Sequence, residues 1–251
     1  MSLKSKVWLE NKANELREEM GVRSKDPVSI HQILKYKQIV AYFQPMEENG
    51  FSGMAVKVTE ANRNYLFMLV NTVESYGKQR FTAAHELYHL LYQDDFQSSY
   101  DTDIYGNKDP EEINANNFAT YLLLPENGLL QLIPESEMGK NKVTIETLLR
   151  LEQNYRCSRI TLLLRLRHLR LITEDYINNN KGNVIRTAME YGYDASLYSK
   201  TNRIELVGDY NLKARKLFDQ GKISQAKYFS YLRDMNIDLK EDMNEKEGNI
   251  G

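Results

Sequence analysis

An α+β fold, with a short three-stranded sheet packed on one long helix and mainly helical regions behind it, follows from three observations. Strand-like runs cluster between residues 38 and 70, a helical pattern covers 76–92, and the chain beyond 139 repeats Leu and Ile at helical spacing. Taken in order, Val7, Trp8, Ala13, Leu16 and Met20 recur at helical spacing and Gly21 stops them, predicting an opening amphipathic helix. A short helix is expected over 30–36, then strands over 38–43, 53–58 and 65–70, separated by segments holding Pro45, Gly50, Asn62 and Asn64. The helix over 76–92 is the strongest pattern. The acid-rich stretch 93–112 reads as a loop. Asp109-Pro110 then opens a helix, with Asp at the N-cap and Pro in the first turn, and Pro125 closes it.

Past Gly139 the residues 144–155 and 159–171 read as two helices joined by a short turn. Residues 178–183 (NNNKGN) look like a linker, 212–219 and 224–235 like a helical hairpin around Gly221, and the last dozen residues like a disordered charged tail. The expected organisation is therefore a first domain over 1–138, a basic helix-turn-helix-like region over 139–175 and a helical accessory region over 176–251.

With 41% hydrophobic and 27% charged residues among 251, the chain can bury a core of its own. Thirty-three Lys+Arg against 35 Asp+Glu leave a formal charge of -2, which argues against a protein that coats nucleic acid through bulk charge. A single cysteine, Cys157, excludes an intrachain disulfide framework and a cysteine-rich zinc module, and fits a reducing compartment. No run approaches the roughly 20 apolar residues of a membrane span and no signal-peptide core opens the sequence, so a cytoplasmic location is expected.

The chemistry is carried by His85-Glu86-Leu87-Tyr88-His89, an H-E-x-x-H sequence on that strongest helix. Histidines four apart share a helix face one turn apart, so both rings can reach a single zinc ion, and the intervening Glu86 stands where it can take a proton from a metal-activated water. Ala83, Leu87, Leu90 and Leu91 fall on the other side, giving the helix a reactive face and a buried face. Only on the order of one chain in a hundred would carry the pentapeptide by chance, before a helix is required. A catalytic zinc site normally has three protein ligands. His31 and His168 are distant and read as structural. Glu111 and Glu112, at the start of the next helix, are better placed, and Asn116, one turn beyond Glu112, could support a ligand from behind. Either acid could instead serve the helix end, Glu112 in a capping box with Asp109 and Glu111 through the dipole, so the third ligand stays open between them on spacing alone.

The segment from Arg80 to Leu91, followed by Glu112-Ile113-Asn114-Ala115-Asn116-Asn117-Phe118-Ala119 and Leu122-Leu123-Leu124-Pro125, resembles the ImmA/IrrE family of zinc metallopeptidases. Gly50-Phe51-Ser52-Gly53 and Leu69-Val70-Asn71 are similar to the family's approach to the active helix, and the resemblance extends over about 7–172. It implies a zincin-like domain, a zinc cofactor held by His85, His89 and Glu112, and Glu86 as the general base of peptide hydrolysis. Tyr88 stands where relatives often carry glycine, which predicts a narrower cleft. Asn114 stands where many relatives have a second acid, and Gln93, where another histidine is frequent, receives no role. The oxyanion donor is not identified; Tyr88, Tyr92, Tyr100 and Tyr105 are near in sequence.

Relatives commonly act on a helix-turn-helix repressor or an antitoxin, in phage, mobile elements or stress regulons. The resemblance therefore implies such a DNA-binding regulator as substrate and relief of repression as the outcome. Two rival readings accompany it. One is a non-cleaving antirepressor that only binds its partner. The other is a DNA-binding regulator using the segment 139–172, where eight basic residues meet two acidic ones and Arg156, Arg159, Arg165, Arg167 and Arg170 could contact phosphates. For that segment a solvated basic face over a leucine core is the ordinary alternative.

Overall fold

The computed structural model describes residues 3–47, 50–61, 63–101 and 109–234. Ser5 caps helix α1 (Lys6–Glu19), accepting from the Trp8 amide, and the buried stripe Leu9, Ala13 and Leu16 packs on helix α4 (Pro110–Leu123). Each leucine so buried contributes about 1.5–3 kcal/mol. Arg17, 2% exposed, joins the same interface by donating to the carbonyls of Leu122, Arg23 and Asp26, which satisfies an orphan carbonyl at the end of α4. Helix α2 (Ile30–Tyr36) follows and leads into the sheet.

That sheet has five strands in the order β4-β2-β3-β1-β5. Its centre is the three expected strands, β1 (Val40–Gln44), β2 (Gly53–Glu60) and β3 (Arg63–Asn71), with β2 and β3 antiparallel and β1 parallel to β3. The expectation of three strands is corrected at both edges. Strand β4 (Ser98–Asp101) pairs antiparallel with β2 inside the stretch read as a loop, and β5 (Glu205–Val207) returns from the far end of the chain to pair with β1. Both are short, and neither shows the alternation that marks a half-buried strand; pairing, not local pattern, makes them strands.

Helix α3 (Tyr76–Tyr92) lies between β2 and β3 on one side and α4 on the other. Almost every residue from Gly77 to Leu90 is buried, so the expected division into a reactive and a buried face gives way to a central helix enclosed all round. At Gly77 an added Cβ would sit 2.7 Å from the Ser158 amide nitrogen, so the start of α3 is pressed against the chain entering helix α7 (Arg159–His168).

Helices α5 (Glu126–Leu132) and α6 (Ile145–Tyr155) precede α7, and α8 (Glu174–Asn180) and α9 (Val184–Glu190) follow it. The expected linker is partly helix, since Asn178 to Asn180 finish α8. Helices α10 (Tyr210–Asp219) and α11 (Gln225–Asp234) form the expected hairpin, with Gly221 at φ +67°. The charged tail lies outside the described residues. One apolar cluster runs from Leu9 through Leu148, Leu162 and Leu166 to Val207, so residues on both sides of positions 138 and 175 share a core. Among the described residues no helix is long and apolar enough to cross a membrane.

Candidate metal centre

Two consecutive pieces of backbone build the site. The middle of α3 presents His85, Glu86 and His89, while Asp109, accepting from the Glu111 amide at 2.9 Å, starts α4 so that its first turn faces them. The imidazole Nε2 atoms of His85 and His89 are 3.0 Å apart. A Glu112 oxygen lies 2.9 Å from the first and the other 3.5 Å from the second. His85 and His89 are each 1% exposed, Glu112 15%, so the cluster is open on the α4 side.

The other ring nitrogens decide the protonation. His85 Nδ1 is 3.0 Å from Asn116 Oδ1, and His89 Nδ1 meets Gln93 Oε1. An amide oxygen only accepts, so each Nδ1 carries the proton and each Nε2 turns a lone pair inward. Two lone pairs and a carboxylate thus face one another in a buried space, an arrangement a shared cation satisfies. The 2.9–3.5 Å spacings also suit it: four-coordinate zinc at about 2.0–2.1 Å from each donor places neighbouring donors roughly 3.3 Å apart. Among the described residues, His85, His89 and Glu112 are the group of His, Cys, Asp and Glu that could hold a metal ion. Burial opposes ionisation of Glu112, but a proton on the facing rings, or a cation in its place, overrides it and holds the carboxyl well below the ordinary carboxylate range.

Geometry separates the two adjacent acids. Glu111, 6% exposed, turns away and accepts from Tyr88 Oη at 2.6 Å. Asn114, fully buried, points to the same side, receiving the Lys4 amide at 3.0 Å. Tyr88 therefore does not narrow the cleft as expected: it is buried against Phe118 behind α3, and burial followed by the bond to Glu111 pushes its pKa far above normal. Its hydroxyl is committed there and is not positioned for an oxyanion. Tyr92 packs edge-on against Trp8, also away from the metal-binding atoms. Tyr105 lies outside the described residues.

Glu86 is fully buried beside the histidines. Gly53, at the start of β2, lets the strand approach it: a Cβ there would be 2.4 Å from the Thr82 methyl and 3.6 Å from Glu86 Cγ. Gln93, which the sequence reading left without a role, contacts the His89 ring; its spacing of four from His89, the same one-turn step that links Glu112 to Asn116, was the available signal. His31 stacks on Phe43 and His168 is exposed, and neither belongs to the cluster.

The sequence pattern of the IrrE N-terminal-like domain, peptidase family M78, matches residues 35–167, more than half of the chain. The chain belongs to the ImmA/IrrE family of metallopeptidases. The matched span contains Gly53, the H-E-x-x-H helix, Gln93, Glu112 and Asn116, and stops at the end of α7. A search of curated proteins finds no match to the chain.

Of the arginines that the DNA-binding reading relied on, two are removed from solvent. Arg159 is 3% exposed and paired with Glu152, and Arg165 is 1% exposed, stacked on Tyr121 and paired with Glu10. Neither can reach a phosphate. Arg156, Arg167 and Arg170 remain exposed, Arg167 bound to Glu174.

Proposed function

We propose that this family member is a zinc-dependent endopeptidase acting on a helix-turn-helix repressor or an antitoxin, so that repression is relieved. The observation that carries the reading is the convergence of His85 Nε2, His89 Nε2 and the Glu112 carboxylate, with Glu86 beside them. In this reading His85, His89 and Glu112 hold the metal, and Asn116 and Gln93 keep the rings neutral and aimed. Bound zinc supplies a Lewis acid that polarises a carbonyl and acidifies water. Glu86 takes the proton of the attacking water and returns it to the leaving amine. Its burial next to Gly53 excludes bulk solvent from that exchange. A reducing, cytoplasmic setting accords with one cysteine that is buried and whose thiol burial pushes up.

The test is Glu86→Gln. Zinc measured by elemental analysis should stay at the wild-type level while hydrolysis falls by about 10²–10⁴-fold or more; an unchanged rate removes Glu86 as the base. The partner is tested by incubating the protein with the regulator encoded beside it, with and without chelator. Fragments that appear only without chelator support cleavage, whereas an intact complex in both supports an antirepressor that binds without cutting.

A further inference from the structure

Away from the metal centre, Ile30, His31, Phe43, Tyr76, Arg80 and Arg203 line a small cavity where α2, β1 and the first turns of α3 meet. Its volume is about 10 Å³, room for one particle of water or halide size. Arg80 is 7% exposed; its Nη2 donates to the Val28 carbonyl at 2.8 Å, and its Nε is buried with no hydrogen-bond partner among the described residues. Arg203 enters from the segment ahead of β5. Its guanidinium lies 4.7 Å from the Phe43 ring centre and 5.7 Å from that of Tyr76, and its Nε is likewise buried without a partner.

Negative charge is short here. Glu205 pairs with Arg203 at 3.0 Å and with His31 at 3.2 Å, while no carboxylate pairs with Arg80 among the described residues. Glu205 thus serves Arg203 at a partly exposed edge of the cavity, while the buried Arg80 keeps a positive charge that no carboxylate among the described residues meets. A buried cation in that position is unfavourable unless an opposite charge meets it. Burial accordingly pulls the Arg80 pKa below its ordinary value.

We infer that this cavity binds one small monovalent inorganic anion, of the size and charge of chloride, between Arg80 and Arg203. The volume is too small for phosphate or for the carboxylate of a larger ligand, and one negative charge completes the balance. The site also has a structural consequence. Arg203 belongs to a strap fastened to the start of α3, through Thr72 Oγ1 donating to the Arg203 carbonyl at 2.9 Å and Gln79 Nε2 donating to Thr201 Oγ1 at 3.0 Å. The anion adds a charged staple between that strap and the helix that carries His85.

Bromide serves as the probe in crystals of the full chain, and chloride replacing gluconate at fixed sodium and ionic strength serves in thermal unfolding. An anomalous peak between Arg80 and Arg203 is expected, with a midpoint that rises logarithmically, by roughly 3–5 °C per tenfold chloride above half-saturation. Arg80 lies in the core, so the variant is placed at the partly exposed Arg203: Arg203→Gln should abolish both signals. Absence of an anomalous peak in bromide, or an equal chloride response in wild type and Arg203→Gln, would overturn the site.

Discussion

Two buried polar clusters in this molecule have opposite electrostatic logic. Between α6, α7 and the turn at Ala195–Tyr198, Arg159 donates to one oxygen of Glu152, Tyr198 donates to the other at 2.6 Å, and Arg159 Nη1 reaches the Asn180 carbonyl at 3.1 Å. Donors meet acceptors except at Arg159 Nη2, and the charges cancel inside the protein. Between α3 and α4, three acceptors converge instead, and the protons that could have paired them are drawn off to Asn116 and Gln93. The first cluster balances its own charge and ties helices together; the second gathers donor atoms that could hold a metal ion.

Mutation can break that contrast most severely at the metal-binding atoms. His85→Ala or Glu112→Ala should reduce zinc affinity by about 10³-fold or more in equilibrium dialysis, since three protein ligands are the normal minimum of a catalytic site. Retention of wild-type metal content in Glu112→Ala would shift the ligand role elsewhere. In the charge-balanced cluster the effect should fall on stability alone: Glu152→Ala strands the Arg159 charge and should cost about 3–5 kcal/mol by denaturant unfolding, with zinc content unchanged. Replacing Glu152 and Arg159 together by Met and Leu should recover most of that loss.

Smaller effects sharpen the comparison. Asn116→Ala and Gln93→Ala should each weaken zinc binding by about 10–100-fold while leaving the ligands in place, because they act on ring orientation and tautomer. The depressed Glu112 carboxyl keeps its charge as pH falls: its contribution is whole above the ordinary value of 4.5 and is lost only as pH drops through its lower folded value. Metal retention followed by dialysis should therefore show no step at the ordinary carboxylate value; a step near pH 4.5 would mean that Glu112 is not held in its charged form.

Much of the site is local and hence readable. His85 and His89 share a face because a helix repeats every 3.6 residues, and Asn116 follows Glu112 by the same rule. Helices α2 and α3 run over the residues their patterns predict. Other features have no local signature. Ser98–Asp101 and Glu205–Val207 become strands through their partners, and Tyr88 looks like bulk in the cleft until α4 supplies Glu111 for its hydroxyl. Arg159 and Arg165 sit among other basic residues on a segment that reads as a charged face, yet their neighbours from α6, α1 and α4 enclose them.

By itself, the sequence determined the donor types, their one-turn spacing and the helices that carry them, since backbone periodicity is set by the chain within a few residues. Only the tertiary structure decided that Glu112 rather than Glu111 meets the histidines and which arginines are withdrawn from solvent. Those outcomes depend on how α4 is placed against α3, and α1, α4 and α6 against α7, contacts between residues that no local pattern encodes.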